Sequence, residues 1–412
     1  MRRINIILLC CLLSISVWAA GSIRIVVDAG QYDRQDCIVS VEISKLKIKQ
    51  GSEVVLFEKT GKTKTPVACQ VIQNGEATPV LYWVLSGHTP AGTTREFVAR
   101  VAKKDADKNS MQVEDNGKTL VLKQDGRDIL QYNYAWVAPP EGVDLIFGRS
   151  GFIHPAYSPS GNVLTAIQPK DHRHHYGIWN PWTRIEYGGK KYDLWNLGDK
   201  QGTVRARSIE QTYQGDICAG YKAYLDHYIF SDAGEKVIMD ETWDVKAWNL
   251  PGGFLWDFES GLNPTTDLPV LIKEYRYAGF GWRATEDWTK ENSIMITSEG
   301  KTRQEIDGTR ARWIYVTGQC NGSKERSGML FLGHPENYNS PEPLRIWDEN
   351  ANYGRGDVFV NFAPTKNMDW ELKPGEHYKL RYRVLSYDGE MDKERADRLW
   401  NDFAYPPKVT VQ

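Results

Sequence analysis

Two stretches in the middle of the chain decide the fold class: Ala219-Gly-Tyr-Lys-Ala-Tyr-Leu-Asp-His-Tyr-Ile-Phe230 and Val237-Ile-Met-Asp-Glu-Thr-Trp-Asp-Val-Lys-Ala-Trp248. Both are rich in aromatic and β-branched residues, which favour strands. They are too long for a tight barrel, and they suit large, curved antiparallel sheets that pack face to face. The centre of the chain therefore predicts an all-β fold.

The sequence on either side of these stretches is also strand-like, with short segments of alternating apolar and polar residues separated by Gly, Asn, Asp and Pro. We predict a small β-sandwich over residues 21–110, which ends in the polar linker Lys103–Ser110. A larger antiparallel β-supersandwich follows over residues 111–412. One short C-terminal helix is expected from Asp392 to Ala404, with Asp392 as its N-cap. A repeat period of 20–50 residues is lacking, which argues against propellers and solenoids.

Residues 1–20 have the pattern of a secretory signal peptide. Arg2 and Arg3 precede an apolar stretch, Ile6–Val17, and small residues follow it. No later window suits a membrane span, so we expect a cleaved protein in the periplasm or outside the cell. The cysteines beyond this segment leave a bridge between the first two and free buried thiols equally open; they are Cys37, Cys69, Cys218 and Cys320.

The composition limits the partners. Lys and Arg number 51 against 53 Asp and Glu, and the net charge of -2 argues against nucleic acid as a partner. The 15 Trp and 21 Tyr outnumber the 12 Phe. Aromatic rings with a polar group suit ligand platforms as well as cores. A Gly-rich phosphate loop is lacking, so nucleotide-dependent chemistry has no support.

The histidines concentrate in Lys170-Asp-His-Arg-His-His-Tyr-Gly-Ile-Trp179. If this segment is extended, His172 and His174 share one face, while Asp171 and His175 share the other. Imidazole titrates near neutrality, so we predict that these four residues carry acid–base catalysis. Cofactors are not expected. A divalent metal is left open, with His172 and His174 as its ligands, although the H-E-x-x-H spacing of a metal site is absent.

Three distant segments are expected to converge on these histidines: Gly253–Gly261, Tyr275–Arg283 and Gly333–Asn339. The first supplies Glu259 as a further catalytic candidate. Each segment has a structural alternative, namely a solvated strand, a bulged core strand and a turn, respectively. The substrate-binding candidates are His154, Trp179, Asp257, Tyr277, Trp282, Arg283, His334 and Asn337.

Together these segments resemble the PmoA-like family of uncharacterised bacterial proteins. The resemblance rests on His154-Pro-Ala-Tyr-Ser-Pro-Ser-Gly161, Asp171-His-Arg-His-His175, the segment ending at Arg283, and His334-Pro-Glu-Asn337, and it covers about residues 115–390. The family label names a methane-oxygenase subunit. That role requires membrane spans, which this sequence lacks after residue 20, so the label is a misnomer.

The resemblance implies a secreted protein of glycan-degrading bacteria, whose large domain is similar to the galactose-mutarotase-like supersandwich. In sugar enzymes of that fold a His and an acid flank a sugar ring, and by this analogy His174 and Glu259 are the acid–base pair. Arg173 stands where the family pattern leads us to expect Pro, which leaves the local turn open.

Three functions are open at this stage. The first is a carbohydrate-active enzyme, a hydrolase, lyase or epimerase, that acts on a glycan or glycoside fragment. The second is a non-catalytic carbohydrate-binding protein in which the histidines are structural. The third is a metal-dependent oxidoreductase, which the family label alone favours. In each of the first two, the expected ligand is an oligosaccharide or glycoside.

Overall fold

The computed structural model describes residues 21–49, 51–73, 75, 77–103, 109–320, 322 and 324–412. The predicted signal peptide, residues 1–20, lies outside the described residues, as do residues 104–108 of the predicted linker. The protein is mostly β, with 52% strand and 6% helix. The all-β class predicted from the sequence is confirmed.

The strands of the N-terminal part are β1 (Ser22–Asp28), β2 (Arg34–Glu42), β3 (Ser52–Thr60), β4 (Thr63–Val67), β5 (Cys69–Ile72), β6 (Val80–Thr89) and β7 (Thr94–Lys103). The next strands are β8 (Met111–Asp115), β9 (Thr119–Gln124), β10 (Arg127–Asn133), β11 (Phe152–Ala156), β12 (Ile178–Trp179), β13 (Ile185–Tyr187) and β14 (Lys190–Tyr192). The central strands are β15 (Gly202–Tyr213), β16 (Cys218–Ser231), β17 (Gly234–Trp248), β18 (Phe254–Pro264), β19 (Val270–Ile272), β20 (Gly281–Arg283) and β21 (Ser293–Thr297). The last strands are β22 (Trp313–Gln319), β23 (Arg326–Gly333), β24 (Leu344–Ile346), β25 (Phe359–Phe362), β26 (Trp370–Leu372), β27 (Tyr378–Asp388) and β28 (Lys408–Val411). The helices are α1 (Ala351–Gly354) and α2 (Lys393–Ala404), with 3₁₀ turns at Leu145–Phe147 and Leu197–Asp199.

Two eight-stranded antiparallel sheets pack face to face and form the centre of the molecule. The front sheet has the strand order β24-β25-β20-β12-β11-β10-β9-β8, and the back sheet has the order β15-β16-β17-β18-β27-β23-β22-β21. A four-stranded sheet, β14-β13-β19-β26, extends one side. The core between the large sheets contains side chains of both, such as Ile178 and Trp282 of the front sheet and Trp243 and Phe258 of the back sheet.

The hairpin of β16 and β17 anchors the back sheet. The two strands pair from Cys218 opposite Trp248 to Ser231 opposite Gly234, with one register shift. Alternate residues such as Tyr221 point into the core and are fully buried. Burying one large apolar side chain contributes about 2 kcal/mol, which fixes the register of so long a pair. The two strands predicted from the sequence are confirmed to within three residues.

Helix α2 covers the outer face of the back sheet. Asp392 caps the helix, because its Oδ1 accepts a hydrogen bond from Arg395 N at 2.7 Å, as predicted. Trp400 is 7% exposed and its Nε1 donates to the Gly333 carbonyl at 2.9 Å. A buried ion pair between Arg34 and Asp402, at 2.8 Å, ties the helix to β2. That side of the back sheet is therefore covered.

The N-terminal unit consists of the sheets β28-β1-β7-β3-β4 and β2-β6-β5, which enclose their own core around Trp83 and Phe97. Strand β28 joins this unit by pairing antiparallel with β1, with Val411 opposite Ile25. The domain boundary predicted at residue 110 does not include this pairing, because β28 lies at the opposite end of the chain from β1.

The four cysteines of the described residues are free thiols. Cys37 and Cys69 pair with different residues of β6, Leu85 and Trp83, and form no bridge. In the described part of the chain, helices are too short or too polar to cross a membrane.

Candidate functional site

The histidine-rich segment folds as two consecutive turns. His172 N donates to the Pro169 carbonyl at 3.1 Å, and His175 N donates to the His172 carbonyl at 3.0 Å. The expectation of an extended segment with His172 and His174 on one face is therefore wrong. The turns gather the three imidazoles, whose ring centres lie 4.7 Å (His172–His175), 4.9 Å (His174–His175) and 5.5 Å (His172–His174) apart.

A glycine ends this segment for a steric reason. Gly177 has a φ of +56°, and a Cβ at this position would come within 2.3 Å of the Ile153 carbonyl oxygen on β11. Only glycine fits a left-handed residue at such a close approach. The turn places the histidines beside β11 and β12.

The outer face of the front sheet supports the cluster with aromatic rings. Trp179 and Phe359 lie on this face, because their neighbours Ile178 and Val360 point into the core. The His175 ring, 1% exposed, lies 5.2 Å from the Trp179 ring and 5.0 Å from the Phe359 ring. Burial lowers the pKa of His175 well below its usual range. His175 is therefore a neutral residue of the site floor.

His172 forms a dyad with Asp171, since its Nδ1 lies 2.9 Å from Asp171 Oδ2. Arg283 Nη2 lies 3.2 Å from the same oxygen and 2.6 Å from Asp357 Oδ2. Burial opposes ionisation of Asp171, but the hydrogen bond from His172 and the charge of Arg283 prevail and lower its pKa to about 2. The carboxylate is thus ionised at neutral pH, which places the imidazole proton on Nδ1 and leaves Nε2 as an acceptor.

Trp347 packs against the other face of the dyad. Its ring lies 4.6 Å from the His172 ring, and the Arg283 guanidinium carbon lies 4.7 Å from the indole. The Tyr277 hydroxyl accepts hydrogen bonds from Trp347 Nε1 at 3.1 Å and from Arg345 Nη2 at 3.0 Å. The orientation of Trp347 is therefore fixed by hydrogen bonding as well as by packing.

Two open cavities meet at His172. The smaller, of about 310 Å³, is lined by His172, Tyr277, Arg345, Trp347, Asp348, Asn350, Ala351 and Asn352. The larger, of about 900 Å³, is lined by Lys170, Asp171, His172, Glu286, Asn352, Tyr353, Arg355 and Asp357. The His172 side chain is 36% exposed. A ligand in either cavity can reach the dyad.

The other two histidines of the site prediction are less suited to proton transfer. Burial, assisted by the charge of His172, lowers the pKa of His174 to about 4. Burial alone lowers the pKa of His154 to about 4, and its Nδ1 lies 2.8 Å from Thr165 Oγ1. Both are neutral at physiological pH, and neither lines the two cavities. The geometry favours His172 over His174 as the acid–base residue.

The two acids from Gly253–Gly261 do not join the histidines. Asp257 and Glu259 point to the outer face of the back sheet, while Phe258 between them faces the core. Asp257 accepts from Arg383 Nε at 2.6 Å, and Glu259 accepts from Lys379 Nζ at 2.8 Å. The histidines lie on the outer face of the front sheet, so the whole core separates them from both acids. The expected convergence of this segment is wrong.

The Gly333–Asn339 segment also lies on the back side. The His334 ring contacts Phe403 of α2 at 5.1 Å, and Asn337 Nδ2 donates to buried Glu342 at 2.9 Å. Only Tyr275–Arg283 reaches the site as expected, through Tyr277 and Arg283. Trp282 of the same segment points into the core, where its Nε1 donates to the Leu164 carbonyl at 3.0 Å.

The sequence interpretation missed the segment between β24 and β25. This segment supplies Trp347 and Asp357 to the dyad, and Arg345 of the preceding strand β24 holds Tyr277. A usable signal was present, because Arg345–Asp357 combines Trp, Tyr, Arg, Asn and Asp with two glycines between two short strands. The described ranges contain no group of three or more His, Cys, Asp or Glu side chains that is suited to hold a metal ion.

In sequence, residues 119–401 match the family described as "Family of unknown function (DUF6807)". No curated protein matches the chain. Among solved structures, an alpha-mannosidase from Enterococcus faecalis V583 is 10% identical, with a TM-score of 0.49 and coverage of 96% of this chain and 46% of that chain. A glycosyl hydrolase family 38 protein from Enterococcus faecalis is 8% identical, with a TM-score of 0.48 and coverage of 95% and 47%.

A galactose mutarotase related enzyme from Lactobacillus acidophilus is 9% identical, with a TM-score of 0.31, and the match covers 67% of this chain and 97% of that one. The chain spans about half the length of the two enterococcal proteins. At these identities and scores the likeness carries no argument about activity, which therefore depends on the site itself.

Proposed function

Because this chain belongs to the DUF6807 family of unknown function, we propose its activity from the site alone: a carbohydrate-active enzyme in which His172, oriented by Asp171, transfers a proton on a bound sugar. One observation carries the proposal. The 2.9 Å contact of His172 Nδ1 with Asp171 lies where two open cavities meet. This arrangement combines a base, the group that orients it, and space for a substrate.

In the proposed mechanism, the two residues of the dyad have different roles. The ionised Asp171 holds the imidazole in one tautomer and stabilises the imidazolium that forms when Nε2 takes up a proton, as an orienting carboxylate does in other His-based sites. Arg283 holds Asp171 in place from the buried side, at 3.2 Å. Asp171 and Arg283 therefore position the base, and His172 Nε2 is the atom that meets the substrate.

The cavity walls support a sugar as the ligand. The smaller cavity places the rings of Trp347 and Tyr277 beside the polar groups of Arg345, Asp348 and Asn350. Aromatic faces suit the C–H face of a sugar ring, and charged or amide groups suit its hydroxyls.

Among carbohydrate reactions, the site supports elimination or epimerisation better than hydrolysis. Glycosidases use one carboxylic acid that is protonated and one carboxylate. Asp348 and Glu286 also line the cavities but lie outside the ion pairs of the dyad. Within those ion pairs the acid candidates are Asp171, whose pKa of about 2 keeps it ionised, and Asp357, which is paired with Arg283 and Arg355. Neither suits the part of a proton donor, whereas His172 can both accept and return a proton.

The test is an incubation of the protein with a glycan library, with and without chelator, read by mass spectrometry for mass changes and by NMR for epimerisation. We expect turnover that chelator does not affect and that His172→Ala abolishes. His88→Ala is the matched control, because His88 is 57% exposed in the N-terminal unit. Full turnover by His172→Ala would refute the proposal, and glycans that are bound but recovered unchanged would favour a binding protein.

We also propose export from the cytoplasm, as residues 1–20 predict; cleavage after expression, read by N-terminal sequencing, checks it.

A further inference from the structure

A strained turn beside the dyad exposes an aromatic ring. Tyr353 is fully exposed, at 103%, and lines the larger cavity with Asp171 and His172. Asn352 and Tyr353 have φ values of +50° and +57°, and Gly354 follows at +84°. Two consecutive non-glycine residues in the left-handed region are costly, and such strain concentrates at ligand sites.

The turn is held rigidly and is linked to the dyad. Gly354 N donates to the Asn350 carbonyl at 3.0 Å, and Gly356 N donates to the Ala351 carbonyl at 2.9 Å. Asn352 Nδ2 donates to Asp357 Oδ2 at 3.0 Å, the same oxygen that binds Arg283. Through Arg283 the turn is connected to Asp171. These contacts hold the backbone of Tyr353 near the dyad, while its side chain is fully exposed.

We propose that Tyr353 is the stacking platform of a second sugar subsite in the larger cavity, so that the substrate is a neutral di- or oligosaccharide lying across His172. The proposal rests on the carbohydrate function proposed above. An exposed ring at a cavity edge offers a flat apolar face to a sugar, and the strained turn presents that ring without protein contacts that would cover it. One sugar occupies each cavity, and His172 stands between them.

The charges around the larger cavity support a neutral ligand. The cationic and anionic side chains that line this cavity or lie directly behind its wall are equal in number. The cations are Lys170, Arg283 and Arg355, and the anions are Asp171, Glu286 and Asp357. Asp171 and Asp357 are already paired with Arg283, and Arg355 is paired with Asp357. An acidic sugar that used either arginine would have to displace one of these carboxylates, whereas hydroxyl groups can bind without doing so.

The test uses an array of neutral mono-, di- and trisaccharides with their uronic-acid-containing counterparts, with affinities measured for each bound member by calorimetry. Tyr353→Phe keeps the ring, and Tyr353→Gly removes it while relieving the backbone strain, so both variants should fold. Leu145→Ala, at a 69% exposed apolar residue, is the control for loss of exposed surface.

We expect Tyr353→Gly to weaken binding of neutral di- and trisaccharides about tenfold, with monosaccharide affinity within twofold, and Tyr353→Phe to bind like the unaltered protein. Equal losses for mono- and trisaccharides, unchanged binding by Tyr353→Gly, or a preference for uronic acids would each overturn the subsite. An unaltered protein that binds no member of the array would instead refute the carbohydrate function and with it this inference. The two failures are therefore distinguishable.

Discussion

Replacing Asp171 by Asn tests the dyad most directly, because the amide keeps the shape of the side chain and removes its charge. Asp171 is 16% exposed, and Arg283 keeps its 2.6 Å partner Asp357 in the variant. We expect kcat/KM to fall between about 10² and 10⁴-fold, as for other His residues that lose the carboxylate holding their tautomer. At about 1.4 kcal/mol for each tenfold change, this is about 3–5 kcal/mol of transition-state stabilisation.

The stability cost of the same substitution is bounded by the pKa of Asp171. That pKa is lowered from 3.8 to about 2, so ionised Asp171 stabilises the fold by at most about 2 kcal/mol. Because the folded pKa lies below the unfolded one, this contribution is present above pH 4 and is lost as the pH falls through 2. Loss of activity should therefore exceed loss of stability by a clear margin.

Three measurements separate orientation from simple destabilisation: turnover of a glycan identified in the library, urea unfolding, and the ¹⁵N NMR shifts of the histidine rings. We expect a change of tautomer at His172 in Asp171→Asn. Asp33→Asn, at a 66% exposed carboxylate, is the neutral control. Asp357→Asn should instead destabilise by about 3 kcal/mol, because it removes a buried partner of Arg283. A variant that keeps its tautomer and a third of its turnover would refute the reasoning.

Three further predictions concern the network and the core. Burial raises the pKa of Glu342 from 4.5 to about 7, so the free energy of unfolding should fall by on the order of 3 kcal/mol as the pH rises from 4.5 through 7. Urea midpoints measured against pH should show this decrease for the unaltered protein and lack it for Glu342→Gln. Equal pH dependence of the two proteins would contradict the prediction. Glu241→Gln should lower the free energy of unfolding by about 3 kcal/mol, because Glu241 Oε2 lies 2.9 Å from fully buried His227; calorimetry that gives less than 1 kcal/mol would contradict it. Tyr277→Phe should reduce kcat/KM about tenfold with little change in urea stability, because Trp347 loses its acceptor; unchanged kinetics would remove Trp347 orientation from the mechanism.

The fold class could be predicted from the sequence, because long strands can be recognised from their local residue composition. The stretches around Tyr221 and Trp243 are each rich in aromatic and β-branched residues over twelve residues, and the structure pairs them as a hairpin. The helix from Lys393 to Ala404 was equally readable, since Asp392 is a local capping signal. These features depend on residues close together in the chain.

The candidate site was only partly predictable, because it depends on which face of a sheet each side chain occupies. The alternation that puts Asp257 and Glu259 on one face was correct, but sequence cannot tell that this face is opposite the histidines. The approach of Asp357 to Asp171, 186 residues earlier, depends on pairing of β20 with β25, which places Arg283 opposite Phe359. Trp282 illustrates the same limit, because its neighbour Arg283 reaches the site while its own ring fills the core.

Pairing of β28 with β1 constrains the order in which the protein can fold. A fragment that stops at residue 110 leaves one edge of β1 with unpaired amide and carbonyl groups, an exposed edge of the kind that templates aggregation. Strand β1 therefore cannot complete its pairing until β28, nearly 400 residues later in the chain, has been synthesised. Until β28 is available to pair with β1, the N-terminal unit stays incomplete and keeps an exposed strand edge.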